Sequence, residues 1–408
     1  MHIQTLLPFL TILTTTLAKP AHLYATHYDG TVYTLTLNTD NNELAITQTL
    51  DTCGDMPSWL TLDPRTRTVY CSDETGTADP STHGSLTSLH VAPDGSLHEM
   101  AVTEAVGGGV NSVIYEADNG GKFIAIAHYG GSALSTFALP IEANRPALQE
   151  FHFNLTHPGK VAQQDASHPH QVFLDPTGSF ILSPDLGADL LRVYAIEDGP
   201  SGKLSACPSL NVTFGSGPRH GVFWTDGTDG SAVSGVTHSR KMAAVGQTML
   251  YLVNEIGGTM MVYDVSYSRS GCLSFEKTQT VVPYPGGVMP EGATPAEIRH
   301  VGDVLYVSIR TDQGFAPSDS MVVLDRDAED GSVTVRDSVS ALGKVPRTFV
   351  INKAGNLVAI GNQASANVAV VRRDPETGDL GEEVAVLQVG EPGEVGTSTG
   401  LSSVIWDE

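Results

Sequence analysis

The chain has 408 residues, with 22 Lys+Arg against 46 Asp+Glu and a formal net charge of -24. A surface this negative repels phosphate backbones, which argues against nucleic acid as a partner. Charged residues are only 17% and apolar residues 40%, which excludes an acidic disordered chain. The length leaves two or three ordinary domains or one large β architecture.

Residues 1–18 read as a signal peptide, with an apolar stretch from Leu6 to Leu17 and small residues at Thr16-Leu17-Ala18 for cleavage. The expectation is a secreted, extracellular protein whose folded domain spans 19–408. No later window is apolar for long enough to span a bilayer, so no membrane partner is expected. Two sequons, Asn154-Leu155-Thr156 and Asn211-Val212-Thr213, predict glycosylation. Cys53, Cys71, Cys207 and Cys272 allow three pairings. Proximity in sequence favours Cys53–Cys71, and with it Cys207–Cys272.

A unit of about 50 residues recurs along the chain. Each copy has a Pro- or polar-led start, an alternating apolar strand, a turn, a solid apolar strand, and then outer strands. Starts fall near Pro57, Asn111, Pro169, Pro218, Pro295 and Pro346. The long interval after Pro218 holds a Gly/Ser/Thr-rich insertion, Asp226 to Gln247, expected to be a surface loop. Ser402 to Trp406 looks like a first strand with nothing after it. His22 to Thr26 and Thr31 to Leu35 look like later strands with none before them. Joined, they make one more unit, so the chain is predicted to be all-β: a seven-bladed β-propeller of four-stranded blades, closed by its own two ends.

In such a ring, residues just before the first strand and just after the second converge on the mouth of the central channel. These slots hold Trp59, Asp73, Glu74, Asn111, His128, His168, His170, Asp185, Arg219, His220, Asn254 and Glu255. They also hold Glu297, Arg299, Arg310, Asp312, Arg347, Asn362 and Gln363. Arginines gathered at one mouth of an acidic protein point to a small anion, because the guanidinium fork matches carboxylate geometry. His170 and Glu255 add groups able to move protons. Other motifs carry no function. Gly396-Thr397-Ser398-Thr399-Gly400 matches a nucleophile elbow but lies in a Gly/Glu-rich loop. Asp325 to Gly331 has the wrong acidic spacing for calcium. His168-Pro169-His170 lacks a third metal ligand nearby.

The segments His168-Pro169-His170, Pro184-Asp185-Leu186-Gly187-Ala188-Asp189, Gly217-Pro218-Arg219-His220, Val253-Asn254-Glu255, Pro295-Ala296-Glu297-Ile298-Arg299 and Pro346-Arg347 resemble the lactonase-type seven-bladed propellers. That family includes fungal carboxy-cis,cis-muconate cyclases and bacterial 6-phosphogluconolactonases. The resemblance implies a metal-independent, cofactor-free secreted enzyme that makes or opens a lactone of a small carboxylate. It implies catalytic roles for His170, Arg219, Glu255 and Arg310, with Arg299 as a rival for the second arginine. Arg310 follows Ile309, where the family usually carries Asn. Arg299, Glu297, Asp185, Arg347 and His220 are expected to bind substrate. A secreted location argues against 6-phosphogluconolactone itself. The alternative is a non-catalytic secreted propeller holding a small anion or a protein partner.

Overall fold

The computed structural model describes residues 20–226, 246–267 and 271–408. The expected signal peptide and residues 227–245 of the insertion lie outside the described residues. Seven antiparallel sheets follow one another along the chain. The first is built from both chain ends: Leu401–Trp406 pairs with Ala21–His27, followed by Thr31–Asn38 and Glu43–Asp51. The predicted ring closure is therefore present, and the Arg67 guanidinium clamps it by a two-pronged contact to Asp407 at 2.6 and 2.8 Å.

The innermost strands of the other blades are Pro57–Asp63, Gly109–Glu116, Phe173–Leu174, Pro218–Thr225, Thr294–Val301 and Pro346–Ile351. Their second strands are Thr68–Asp73, Lys122–His128, Phe180–Asp185, Thr248–Asn254, Val304–Arg310 and Leu357–Asn362. The fourth blade departs from expectation. Its first strand was predicted from Pro169, yet regular pairing begins only at Phe173, with a lone bridge from Pro169 to Asp185. Pro169 has no N–H to give a ladder, and the His168 N–H goes instead to the Asp185 side chain.

Buried apolar residues form seven clusters, and each lies between two neighbouring blades. The core is thus a ring of face-to-face sheet contacts, and the axis itself is left to polar side chains. Recurrent latches hold the blades in register. Buried Tyr24, Tyr115, Tyr251 and Tyr306 each donate to a carbonyl in the next blade, that of Gly95, Gly202, Gly331 and Gly378. Gln48, Gln149 and Gln279 exchange paired amide bonds with Leu97, Leu204 and Val333 across the blade gap.

Both disulfides are present as predicted. Cys53–Cys71 joins the first and second blades and Cys207–Cys272 the fourth and fifth. The insertion leaves the fifth blade between Thr225 and Thr248, whereas Pro218 pairs with Asn254 at the opposite end of the same strands. Its flanks are therefore remote from Arg219 and Glu255. No helix among the described residues is long and apolar enough to cross a membrane.

Candidate active site

A register shift marks the entry of the innermost strand in six blades, at Leu401/Ser403, Pro57/Trp59, Gly109/Asn111, Pro218/His220, Pro295/Ile298 and Pro346/Thr348. A β-bulge leaves one residue out of the ladder and re-aims its side chain. Here the displaced residues include Ser58, Arg219, Glu297 and Arg347, so the bulges deliver two of the mouth arginines.

The second slot divides by one residue. The last residue of the second strand is structural in most blades. Asp73 accepts from the Met56 and Thr75 N–H groups. Nε2 of His128 lies 2.7 Å from Ser135 Oγ. Asp185 accepts from Ser167, the His168 and Ala188 N–H groups and Arg192. Asn254 and Asn362 donate to Leu252 and Ala341 carbonyls. The next residue points to the channel instead: Tyr28, Glu74, Tyr129 and Glu255. In the sixth blade Thr311 has φ 61°, and the side chain that reaches Glu255 is Arg310, one place earlier.

Glu255 is the centre of the first cluster. Arg219 Nε lies 2.8 Å from its Oε2 and Arg310 Nη2 2.7 Å from its Oε1. The Arg219 Nε–H is not aimed along that line, so the contact is an ion pair rather than a hydrogen bond. Arg219 also donates to the Ala296 carbonyl at 2.9 Å, and Arg310 to Thr294 Oγ1. Arg219 is only 1% exposed, against 14% for Arg310 and 21% for Glu255. Arg219 is therefore a supporting layer, and Arg310 and Glu255 face the mouth. Burial pushes the Glu255 carboxyl upward, but Arg310 and Arg219 outweigh it and hold it below its ordinary range.

His170 packs beside this cluster, edge-on to His220 at 5.2 Å and to Tyr129 at 5.6 Å. Burial, then the positive field of Arg219, drives its pKa well below the ordinary value, so the ring is neutral at pH 7. Its Nδ1 is buried without a hydrogen-bond partner among the described residues. Beneath lies a second buried group. His220 Nδ1 is 3.1 Å from Glu297 Oε1, and Arg299 Nε is 3.4 Å from the same oxygen. Burial opposes ionisation of Glu297, yet Arg299 and His220 bring its pKa down to about 2. Burial lowers that of His220 to about 4.

Across the mouth, Glu74 Oε2 accepts from Tyr28 Oη and Ser58 Oγ, both at 2.6 Å. Arg347 Nη2 lies 3.6 Å from the same oxygen. Arg347 sits in the field of both Glu74 and Glu255, and Tyr129 feels both carboxylates, so the two groups share one mouth.

The remaining predicted positions sit away from the chemistry. His168 stacks on Tyr129, with its ring nitrogens 2.8 Å from Tyr129 O and Asp165 Oδ1. Asn111 accepts from the Val172 N–H, Gln363 donates to loop carbonyls, and Asp312 accepts from Ser320 and Tyr284 in its own turn region. Trp59 packs against His220 at 6.0 Å. Tyr28, Ser58 and Tyr129 were not singled out from sequence. The signal was available, because Tyr28 follows Ala21–His27 as Glu255 follows Thr248–Asn254, and Pro57-Ser58 parallels Pro218-Arg219. Ser398 is exposed in a loop with no strand–turn–helix around it. Among the described residues no group of three His, Cys, Asp or Glu side chains is placed to hold a metal ion.

Comparison with known proteins agrees with this architecture. A relative from Arthroderma benhamiae, named "Probable 6-phosphogluconolactonase", is 28% identical over 344 residues, covering 84% of this chain and 80% of its own. A Formosa agariphila protein named "6-phosphogluconolactonase" is 25% identical, covering 86% and 90%. The solved Pseudomonas aeruginosa periplasmic gluconolactonase superposes with a TM-score of 0.74 at 21% identity, covering 95% and 99%, which speaks to the fold. The family described as "Lactonase, 7-bladed beta-propeller" matches residues 22–397, and the chain belongs to it.

Proposed function

We propose that this protein hydrolyses a small lactone at the channel mouth. The observation that carries the reading is Glu255 bracketed by Arg219 and Arg310 beside a buried, neutral His170. In this mechanism the lactone carbonyl oxygen accepts from the exposed side of Arg310, whose charge stabilises the oxyanion as it forms. His170 takes a proton from water as the water oxygen bonds to the carbonyl carbon. The ring C–O bond then breaks, and the imidazolium returns that proton to the departing ring oxygen, giving a hydroxy acid. Glu255 and Arg219 hold Arg310 in place. The relatives named above carry lactonase names, which supports the hydrolytic over the cyclising direction.

Acid release from a panel of δ- and γ-lactones tests this against the spontaneous rate. His170→Ala should lower kcat/KM by about 10²–10⁴-fold with the melting temperature nearly unchanged. Unaltered turnover in that variant would remove His170 from the mechanism.

We also propose export. Two disulfides suit an oxidising compartment, and Asn154 and Asn211 are both exposed. Expression in a eukaryotic secretory host should give a mature chain that begins near residue 19 and loses mass on deglycosylation. An intact Met1 and no mass change would refute it.

A further inference from the structure

The two carboxylates at the mouth differ in what they have left to offer. Glu255 has an arginine on each oxygen. Glu74 receives all its protein contacts on Oε2, and Oε1 has none among the described residues. Its backbone N–H donates to the Met56 carbonyl at 2.9 Å, and the Tyr28 and Ser58 hydroxyls hold its carboxylate through Oε2. The arginines differ in the same way. Arg219 and Arg310 donate to protein acceptors. Arg347 makes no hydrogen bond to the described residues. Its contacts are the carboxylate at 3.6 Å, beyond hydrogen-bond range, and the Tyr28 ring at 5.7 Å. Both side chains reach the surface, Arg347 at 12% and Glu74 at 15% exposure.

A planar fork of free donors beside a fixed free carboxylate oxygen is complementary to an anion with a neighbouring hydroxyl. The guanidinium takes the anion in two parallel bonds, and the carboxylate accepts from the hydroxyl. Tyr28 and Ser58 act as positioning residues. By donating to Oε2 they turn Oε1 outward and keep Glu74 from closing on Arg347 as Glu255 closes on Arg310. Tyr28 comes from the first blade, Ser58 and Glu74 from the second, and Arg347 from the seventh, so this half-site straddles the closure of the ring.

We infer that Arg347 and Glu74 form a specificity half-site that binds the anionic, hydroxylated tail of the substrate while its lactone ring is opened at Arg310 and His170. This rests on the lactone-hydrolase reading above. The anion can be a phosphate ester or a carboxylate, since the same fork accepts both.

Binding of lactone-free ligands tests the half-site without turnover. Glucitol 6-phosphate, gluconate, glucitol and inorganic phosphate would be titrated calorimetrically into the full-length mature protein and into Arg347→Met, Arg347→Lys and Glu74→Gln. Glucitol 6-phosphate or gluconate should bind at least about tenfold more tightly than glucitol. Whichever of the two is tighter names the anion, and either result supports the proposal. Arg347→Met should lose that tenfold preference, and Arg347→Lys should lose part of it. Glu74→Gln should shrink the advantage of glucitol 6-phosphate over inorganic phosphate by about threefold or more. Wild-type protein that binds all four ligands equally, or not at all, would overturn the inference, as would variants that bind like the wild type. Tight anion binding with no lactone turned over would refute the hydrolase reading and leave the half-site standing. Lactone hydrolysis with unaltered Arg347 and Glu74 variants would do the reverse.

Discussion

Two charged clusters face each other across the channel mouth and are built from the same structural slots, yet one is closed and the other open. Around Glu255 each carboxylate oxygen meets an arginine, and Arg219 is buried beneath. Around Glu74 one oxygen is bound by neutral hydroxyls, and the nearby arginine stands off at 3.6 Å. Closed ion pairs in a buried setting give rigid placement, because breaking them strands a desolvated charge. Donors and acceptors left open at the mouth give recognition, since their partners are supplied by the ligand. The difference separates a framework for chemistry from a surface for selection.

Stability should divide along the same line, and this is the largest effect expected. Arg219→Met leaves the Ala296 carbonyl without its donor and Glu255 short of one cation, and should cost about 3–5 kcal/mol in denaturant unfolding. Arg347→Met removes only a long, partly exposed pair and should stay within about 1 kcal/mol. Equal losses would break the comparison. Kinetics should divide next. Arg310→Met should lower kcat by about 10²–10³-fold, as expected for an oxyanion donor, whereas Arg347→Met should act mainly on KM. A fall in kcat for Arg347→Met as large as that for Arg310→Met would merge the two clusters into one.

The last effect follows pH rather than a substitution. Burial first of all drives the folded-state pKa of His128 down to about 3 and that of His220 to about 4, and lowers those of His170 and His300. The unfolded chain therefore binds protons first. Stability is complete above the ordinary histidine value of 6.5 and erodes as pH falls towards 4. Glu297, with its pKa at about 2, contributes stability above its ordinary 4.5 that is lost as pH falls further. Melting temperatures measured from pH 8 to pH 4 should decline on the acid side, and a flat profile would show that the buried histidines take up protons without strain.

Much of the fold was legible because the repeat writes it locally. A turn, an alternating strand and a solid strand recurring down the chain require neighbouring sheets, and the split unit at the two ends requires a ring. His170, Arg219, Glu255, Arg310 and Arg347 were legible as mouth residues because strand direction sets where those slots fall, while β-bulges aim Arg219 and Arg347 within them. Within those slots, Asp185, His220 and Glu297 are enclosed by neighbouring side chains, and Tyr28 was overlooked because its blade is completed by the far end of the chain.

By itself, then, the sequence determined the architecture and most of the charged residues that crowd the mouth, which follow from strand periodicity, and proximity in the chain favoured the disulfide pairs that are present. The tertiary structure alone decided which charges neutralise one another. Alternation places a side chain on a face, but a β-bulge moves it by one position. Whether an arginine ends 2.7 Å or 3.6 Å from a carboxylate depends on blades far apart in the chain. That distance separates the closed cluster at Glu255 from the open one at Glu74.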